Sequence, residues 1–508
     1  MLMTGILSVF TPEALLLIFG GTLVGIMMGA IPGLTVTMGV ALFLPVTFGM
    51  APVEGISLLL GLYIGGTSGG LISAILLKIP GTPASIATTF DGHPMAARGE
   101  AGRALGIGIV YSFLGGVLSL LVLFFVSPWL ADVALQFGPY EYFAIALFSL
   151  TLVAGLSGGS LVRGMIAALM GLTIAFVGMA PITAYPRFTF GLSELDGGIG
   201  MLPALIGLFA VAQVLEQAES RKAQETLQVA GYRIRGFGFS LREFLGQGGN
   251  LLRSSAIGTG IGILPGLGGA VCNILAYGAA RKRAPDRERF GQGAMGGIVA
   301  SESSNNASTG GALVPLLTLG IPGDNTTAIL LAGFMIHGIT PGPLLFDTDA
   351  VLVYGIFTAL LIAYAFMLVM MFGGMRGFVR ILAVPKHILL PVIMAVCVIG
   401  AYGLNNRLFD VWTMLAFGVL GFLMKKASLP TTPLLLGFIL GPIIEVNLRR
   451  GLMMSRGDFT PFVTETISGA LLALTLAVVG YTLYREWGQL RRRRLLTHQA
   501  GSGLPNQE

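Results

Sequence analysis

Gly25-Ile-Met-Met-Gly29-Ala-Ile-Pro32-Gly33-Leu34 and Gly258-Thr-Gly-Ile-Gly262-Ile-Leu-Pro265-Gly266-Leu267 share the pattern GxxxGxxPGL. Further on, Ile79-Pro80-Gly81 recurs as Ile321-Pro322-Gly323, so two motifs occur twice in the same order. All four sit in apolar sequence. Proline has no amide to donate and disfavours helix in the residue before it, while glycine accepts unusual backbone angles. Each motif is therefore expected to interrupt a helix and set backbone polar groups free. In lipid such groups are tolerated only inside protein or along a cavity, so paired breaks predict duplicated units with discontinuous helices and a polar site between them. Lone glycine and proline kinks are common in membrane helices and remain the plainer explanation of any single break.

The rest of the chain fits a membrane setting. Of 508 residues, 54% are hydrophobic and 11% charged, whereas a soluble chain carries about 25% charged residues. Mean hydropathy is +0.84. Leu105–Val126, Val351–Phe372 and Ile467–Leu483 are apolar runs near the roughly 20 residues that cross a hydrocarbon core. The 75 glycines suit close helix packing in lipid. The net charge of +6 comes from basic clusters between apolar runs and at the C-terminus, a positive-inside pattern rather than a nucleic-acid surface. Cys272 and Cys397 lie in apolar surroundings without metal-ligand spacing and read as buried thiols. Met1–Phe10 lacks the basic start of a secretory signal, so 13–29 reads as a retained first span.

The expected fold is an all-α polytopic membrane protein with about 11–13 transmembrane helices plus re-entrant hairpins, the crossing number being an order-of-length reading. Spans are placed near 13–30, 36–50, 55–77, 105–126, 140–156, 162–180, 199–215, 254–280, 311–332, 350–373, 388–403, 409–424, 430–445 and 467–484. This gives a first membrane repeat over 1–215, a basic cytoplasmic linker over 216–250, a second repeat over 251–450, and a final helix with a basic cytoplasmic tail over 451–508. The linker carries Arg221, Lys222, Arg233, Arg235 and Arg242, and a second basic cluster follows at Arg281, Lys282, Arg283, Arg287 and Arg289. Only 254–280 separates the two. Both flanks are cytoplasmic if that stretch turns back at Pro265-Gly266, each arm rising roughly 18 Å. One long helix kinked at Pro265, in breach of the charge rule, is the alternative.

Helix N-termini just after Gly33, Gly81, Gly266 and Gly323 would aim unpaired amides at a shared centre and favour a carboxylate there. Ser301-Glu302-Ser303-Ser304-Asn305-Asn306-Ala307-Ser308-Thr309 supplies hydroxyls, amides and one carboxylate beside the spans. Ser304, Asn305 and Asn306 offer donors to a substrate, and oxygen ligands suit a small cation. Asn325, Thr326 and Thr327 repeat that chemistry after the second break, as do Thr82, Ser85 and Thr88 after the first. These stretches also fit aqueous loops with helix-capping residues. Glu302 and Asp324, with Thr327, are the ion-coupling candidates, because a charge at membrane depth is costly and usually functional. Asp91 and His337 rank next, though an interfacial turn explains them equally. Lys78 could neutralise a substrate carboxylate or snorkel to the interface. Glu54, Glu141 and Glu445 read as interfacial. There is no GxxxxGK[ST] phosphate loop, no dinucleotide fingerprint, no HExxH, and proline stands where an intramembrane aspartyl protease needs glycine. Transport by gradient is favoured over an anion channel, and both over an intramembrane enzyme. No metal beyond a transported Na+ and no cofactor is expected.

These residues resemble the TctA family, the large permease subunit of tripartite tricarboxylate transporters. The resemblance runs over nearly the whole chain. It rests on Gly25–Leu34, on Ser73-Ala-Ile-Leu-Leu-Lys-Ile-Pro-Gly-Thr-Pro-Ala-Ser85 with Asp91-Gly-His-Pro-Met95, and on Glu302–Asn306 running into Leu316–Gly323 and His337–Pro343. The family's Pro-Glu-Ala-Ala-Asn-Asn reads Ser301-Glu-Ser-Ser-Asn-Asn306 here, which keeps the Glu and both Asn but leaves substrate detail open. The resemblance implies a multi-pass protein of the bacterial inner membrane, with a TctB-like small membrane subunit and a TctC-like periplasmic substrate-binding protein as partners. It also implies uptake of citrate or another di- or tricarboxylate anion driven by Na+ or H+. A multivalent anion entering a negative cell works against about 2.3 kcal/mol per charge per 100 mV, so cations must travel with it.

Overall fold

The computed structural model describes residues 1–156, 160–219, 238–381 and 386–501. Residues 220–237, about half of the linker expected at 216–250, lie outside the described residues. Among the described residues the chain is all-α apart from one two-stranded hairpin, Gly178–Met179 with Pro186–Arg187. Among the described residues, eight helices are long and apolar enough to cross a membrane, and five shorter apolar helices accompany them. Two contact units interleave in sequence: Met1–Gln136 with Ile199–Met424, and Phe137–Gly198 with Lys425–Glu508.

The first unit contains α1 (Pro12–Ala30), α2 (Val36–Phe43), α3 (Pro52–Leu77), α4 (Thr88–Met95), α5 (Ala101–Ala134), α6 (Gly248–Ile263), α7 (Gly268–Arg283), α8 (Met295–Leu319), α9 (Asn325–Ile336) and α10 (Ala350–Ile381). Glycines set how these helices meet. A Cβ at Gly21, Gly25 or Gly29 would fall 2.3, 2.5 and 2.1 Å from the carbonyl oxygens of Leu58, Leu62 and Gly66, so α1 runs parallel to α3 at backbone contact. A Cβ at Gly258 or Gly262 would fall 2.2 and 2.5 Å from the carbonyl oxygens of Ser304 and Ser308, so α6 runs parallel to α8 in the same way. Even the reciprocal contacts agree: Gly69 meets the Ile26 carbonyl and Gly311 that of Thr259, where an added Cβ would fall 2.4 Å away in each case. The GxxxG spacing is thus a packing surface that occurs in both copies of the motif.

The expected hairpin is present. Along α7, Cys272 contacts the Ser304 carbonyl, Asn273 donates to the Ser301 carbonyl and Tyr277 lies beside Gly297, so α7 descends α8 while α6 ascends it. The turn between them, 264–267, holds Gly266 at φ +76, and Gly268 follows at φ +60. These left-handed angles are the ones glycine adopts without steric cost.

One expected span needs correction. The stretch 311–332 is not a single helix: α8 starts at Met295, ends at Leu319 with Gly320 left-handed at φ +69, and α9 begins only at Asn325. The polar run Ser301–Thr309 is no aqueous loop but the middle of α8, with each of those residues 3% exposed or less. Serine and asparagine are indifferent helix formers, so tertiary packing holds this helix: α5, α6 and α7 all lie against it.

The duplicated pieces are inverted. α3 and α8 run antiparallel, since Tyr63 reaches Asp324 beyond the end of α8, Ser68 reaches Asn306 midway, and Ile75 lies against Gly92 next to Asp91, which reaches Gly297 near the start of α8. The pieces also interlock: α5 packs on α8, α10 on α3, Thr37 of α2 meets Thr326 of α9 at 2.9 Å, and Ala84 abuts Gly269 of α7.

The second unit packs Pro139–Leu156, Leu161–Ala175, Thr431–Met454 and Thr466–Gly501 on one another. Gly171 meets the Leu434 carbonyl and Gly437 that of Ala168. Glu445 is buried in the protein, where Arg187 forks onto it at 2.7 and 3.0 Å and Arg449 adds a bond at 2.9 Å, which together neutralise the carboxylate.

Replacing Gly29 or Gly262 by valine is predicted to cost about 3 kcal/mol or more, since the neighbour to be displaced is backbone. Gly260→Ala, where nothing lies within 4 Å, serves as the tolerated control. Thermal melting of the purified protein in detergent reads the difference.

Candidate functional site

The two sets of breaks close on themselves and then on each other. Gly81 lies against the Gly29 carbonyl and Gly70, while Gly323 lies against the Gly262 carbonyl and Ala312. The freed backbone groups find partners there: Gly81 N donates to Gly70 O at 3.4 Å and Gly266 N to Gly323 O at 2.7 Å. Pro265, Pro322, Gly81 and Gly323 are buried, Pro32, Gly33, Pro80 and Gly266 half-buried. Gly33 accepts bonds from Gln213 and Gln217 through its carbonyl.

Between the breaks the middles of α3 and α8 cross. Ser68 donates to Asn306 Oδ1 at 2.7 Å, and Asn305 Nδ2 to the Thr67 carbonyl at 3.2 Å. Asn305 Oδ1 is fully buried and bonds to no protein group; it faces the backbone of Gly269 at the start of α7. Asn325 Oδ1 is likewise unpartnered. Tyr364 of α10 donates to the Asn306 carbonyl at 3.0 Å and meets Thr309 Oγ1 at 2.6 Å.

Glu302 is fully buried one turn away. Ser112 of α5 donates to its Oε2 at 2.9 Å, and Thr88, the first residue of α4, to its Oε1; Thr88 Oγ1 also lies 3.0 Å from Ser301 Oγ. No cationic side chain pairs with Glu302 among the described residues. The hairpin arm is fastened beside it, Asn273 accepting from Ala87 N at 2.8 Å and donating to Ser301 O at 3.1 Å.

Helix starts differ in how their amides are spent. Asp324 caps α9 reciprocally with Thr327 and takes the Tyr63 hydroxyl at 2.7 Å, and Thr35 caps α2. No side chain caps α7, whose first residues Gly268 and Gly269 lie beside Asp324 and beside Ala84, Asn305 and Ser308 respectively. The positive pole of this 16-residue helix lies at that end. Thr82 and Ser85 meet at 3.1 Å beside Gly70. Ser304 turns its hydroxyl back to the Ser301 carbonyl.

Lys78 is not brought to this centre. It sits exposed at the end of α3 with φ +58, where its charge faces the carbonyl end of the helix. Asp91 lies within α4 rather than in a turn. Wholly buried, it accepts from Gly291 N, Gly293 N and Ala294 N, each at 2.8 Å, and from Tyr277 OH at 2.9 Å. It ties α4 to the segment entering α8 and to the hairpin. His337 caps the end of α9 and packs on Gly55. Sequence reasoning missed Tyr63, Ser68, Ser112, Asn273 and Tyr364. The available signal was a polar residue isolated in a long apolar helix.

Interlocked, inverted broken helices around a buried polar crossing define a polytopic membrane transport protein. The profile of the "Tripartite tricarboxylate transporter TctA family" matches residues 15–436, and the chain belongs to that family, as a permease component of such a transporter. It is 36% identical over 475 residues, 94% of each chain, to an "Uncharacterized 52.8 kDa protein in TAR-I ttuC' 3'region" of Agrobacterium vitis. It is also 36% identical over 222 residues, 44% of this chain and 92% of the relative, to an "Uncharacterized protein in TAR-II ttuC' 3'region" of the same organism. No solved structure matches the chain significantly.

Asp91→Ala would leave three backbone amides and a phenol without an acceptor, and is predicted to cost on the order of 3 kcal/mol or more. Tyr277→Phe, which removes one donor and leaves three, is expected to lower the melting temperature far less.

Proposed function

We propose that this chain is the permease of a binding-protein-dependent secondary transporter that takes up citrate or a related di- or tricarboxylate with Na+ or H+ in the bacterial inner membrane. A TctB-like small membrane subunit and a TctC-like periplasmic binding protein complete the system. The observation that carries the reading is Glu302, a buried carboxylate that takes the hydroxyls of Thr88 and Ser112 and has no cationic side chain paired with it among the described residues, near an uncapped helix start. A lone negative charge so placed costs several kcal/mol. A proton or Na+ that joins it removes that penalty and the repulsion felt by an anion at Gly268 and Gly269. Binding of cation and anion is thereby coupled, which a multivalent anion needs against the membrane potential.

On this reading Asn305, Asn306, Ser304 and the start of α7 hold the substrate, with Gly33, Gly81, Thr82, Ser85, Gly266, Gly323, Asn325 and Thr326 lining its surroundings. Asp324 and Thr327, tied to Tyr63 across the crossing, report ion occupancy from one inverted arm to the other.

The test is uptake of labelled citrate and other carboxylates into vesicles, with Na+ and proton gradients imposed separately. Glu302→Gln is predicted to cut gradient-driven accumulation at least tenfold while exchange across the membrane survives. Asn305→Ala is predicted to cut both. Normal accumulation by both variants at normal protein levels contradicts the assignment.

A further inference from the structure

Away from the crossing, a cavity of about 830 Å³ opens between the base of the α6–α7 hairpin, the turn at Arg287–Arg289 and the corner where α4 leads into α5. Its wall carries five arginines, Arg98, Arg103, Arg253, Arg283 and Arg289, against three carboxylates. Two of the arginines are already satisfied. Arg103 lies 2.5 Å from Glu243 and 3.9 Å from Glu100, and Arg98 pairs with Glu100 at 3.7 Å and bonds the Gln292 carbonyl. Glu243 is itself held in the capping box of the short helix Leu241–Gly246, where the Ser240 amide and hydroxyl keep its carboxyl below the usual range.

The other three have no carboxylate within ion-pair distance among the described residues. Arg253 spends Nη2 on Asn250 Oδ1 at 2.8 Å, and its Nε is buried without a partner. Asp286, on the same wall, offsets only part of this charge. The side-chain amides of Gln247, Asn250 and Gln292 complete a polar lining.

Position gives the cavity its meaning. Its wall includes Ala294, Met295 and Gly296 at the start of α8, about two turns or roughly 10 Å below Glu302 on the same helix. The basic clusters mark this as the cytoplasmic end. We propose that the cavity is a second anion site, a cytoplasmic vestibule in which Arg253, Arg283 and Arg289 receive a di- or tricarboxylate leaving the crossing. This rests on the carboxylate-transport reading above. Guanidinium forks match carboxylates in pairs, and a polycarboxylate can bridge arginines that otherwise repel. Such a site draws the anion off the buried centre and sets how strongly internal carboxylate opposes uptake.

The experiment loads vesicles carrying the complete system with unlabelled citrate and measures counterflow of labelled citrate against internal concentration. Arg253→Gln with Arg283→Gln is predicted to raise the half-saturating internal concentration about tenfold, external half-saturation staying within twofold, with the paired lysine variant in between. Arg289→Gln, at an exposed position, is predicted to raise it about threefold and keeps the test decisive if the double variant does not fold. Unchanged internal half-saturation in folded variants overturns the vestibule alone. A phenotype that vanishes in vesicles of phosphatidylcholine only assigns the arginines to an anionic lipid headgroup and overturns it too. Wild-type protein that moves no carboxylate overturns the transport reading and this inference with it.

Discussion

Backbone amides and carbonyls must find partners wherever a chain lies in hydrocarbon, and an unmet one costs several kcal/mol. A helix broken at Pro-Gly therefore has to be covered by something that presses against its backbone. Here the cover comes from the neighbouring break or helix of the same arm: Gly266 bonds through its amide to Gly323, and Gly81 to Gly70. Only glycine permits this, since a Cβ at Gly29, Gly81, Gly262 or Gly323 would lie within about 2.6 Å of a neighbouring backbone atom. The GxxxG rows and the Pro-Gly breaks are thus one device, in which the rows bring backbones close enough for the breaks to be satisfied.

Inversion of the two copies follows through to chemistry. Because α3 and α8 cross antiparallel, their middles meet, and the residues brought together are Thr67, Ser68, Asn305 and Asn306. Breaks lie at the ends of this crossing, so helix starts converge where side-chain oxygens are already gathered. α5 supplies Ser112 to Glu302, and α10 supplies Tyr364 to Asn306. The arm that contains α8 is thus completed by α5 and α10. In transporters built from inverted pieces, motion of one against the other alternates access to what lies between, and the bonds from Tyr63 to Asp324 and from Thr37 to Thr326 are those such motion must keep or exchange.

Much of this was legible in the residues. The repeated motifs gave the breaks and their pairing, and the basic clusters on either side of 254–280 gave the hairpin, because both are matters of local sequence and charge. Ser301–Thr309 was harder. Nine polar or small residues resemble a loop by hydropathy, and only α5, α6 and α7 packed around them make a buried helix. Long-range partners have no local signal at all: Asn273 takes the amide of Ala87, and Asp91 takes those of Gly291 and Gly293, in each case across far more chain than any sequence window spans. Lys78 shows the reverse case: its place beside a Pro-Gly break suggested a substrate contact, yet a left-handed cap turns it outward.

The central claim is that the duplicated arms are inverted and interlocked around the crossing. Disulfide trapping in a Cys272→Ala, Cys397→Ala background tests it most directly, with cysteines placed at Thr37 and Thr326 or at Ser68 and Asn306, pairs whose polar atoms lie 2.9 and 2.7 Å apart. The account predicts that each pair closes under mild oxidation and that closure stops carboxylate uptake until the bond is reduced. Folded protein in which neither pair closes, although all four cysteines react with a small thiol reagent, contradicts it.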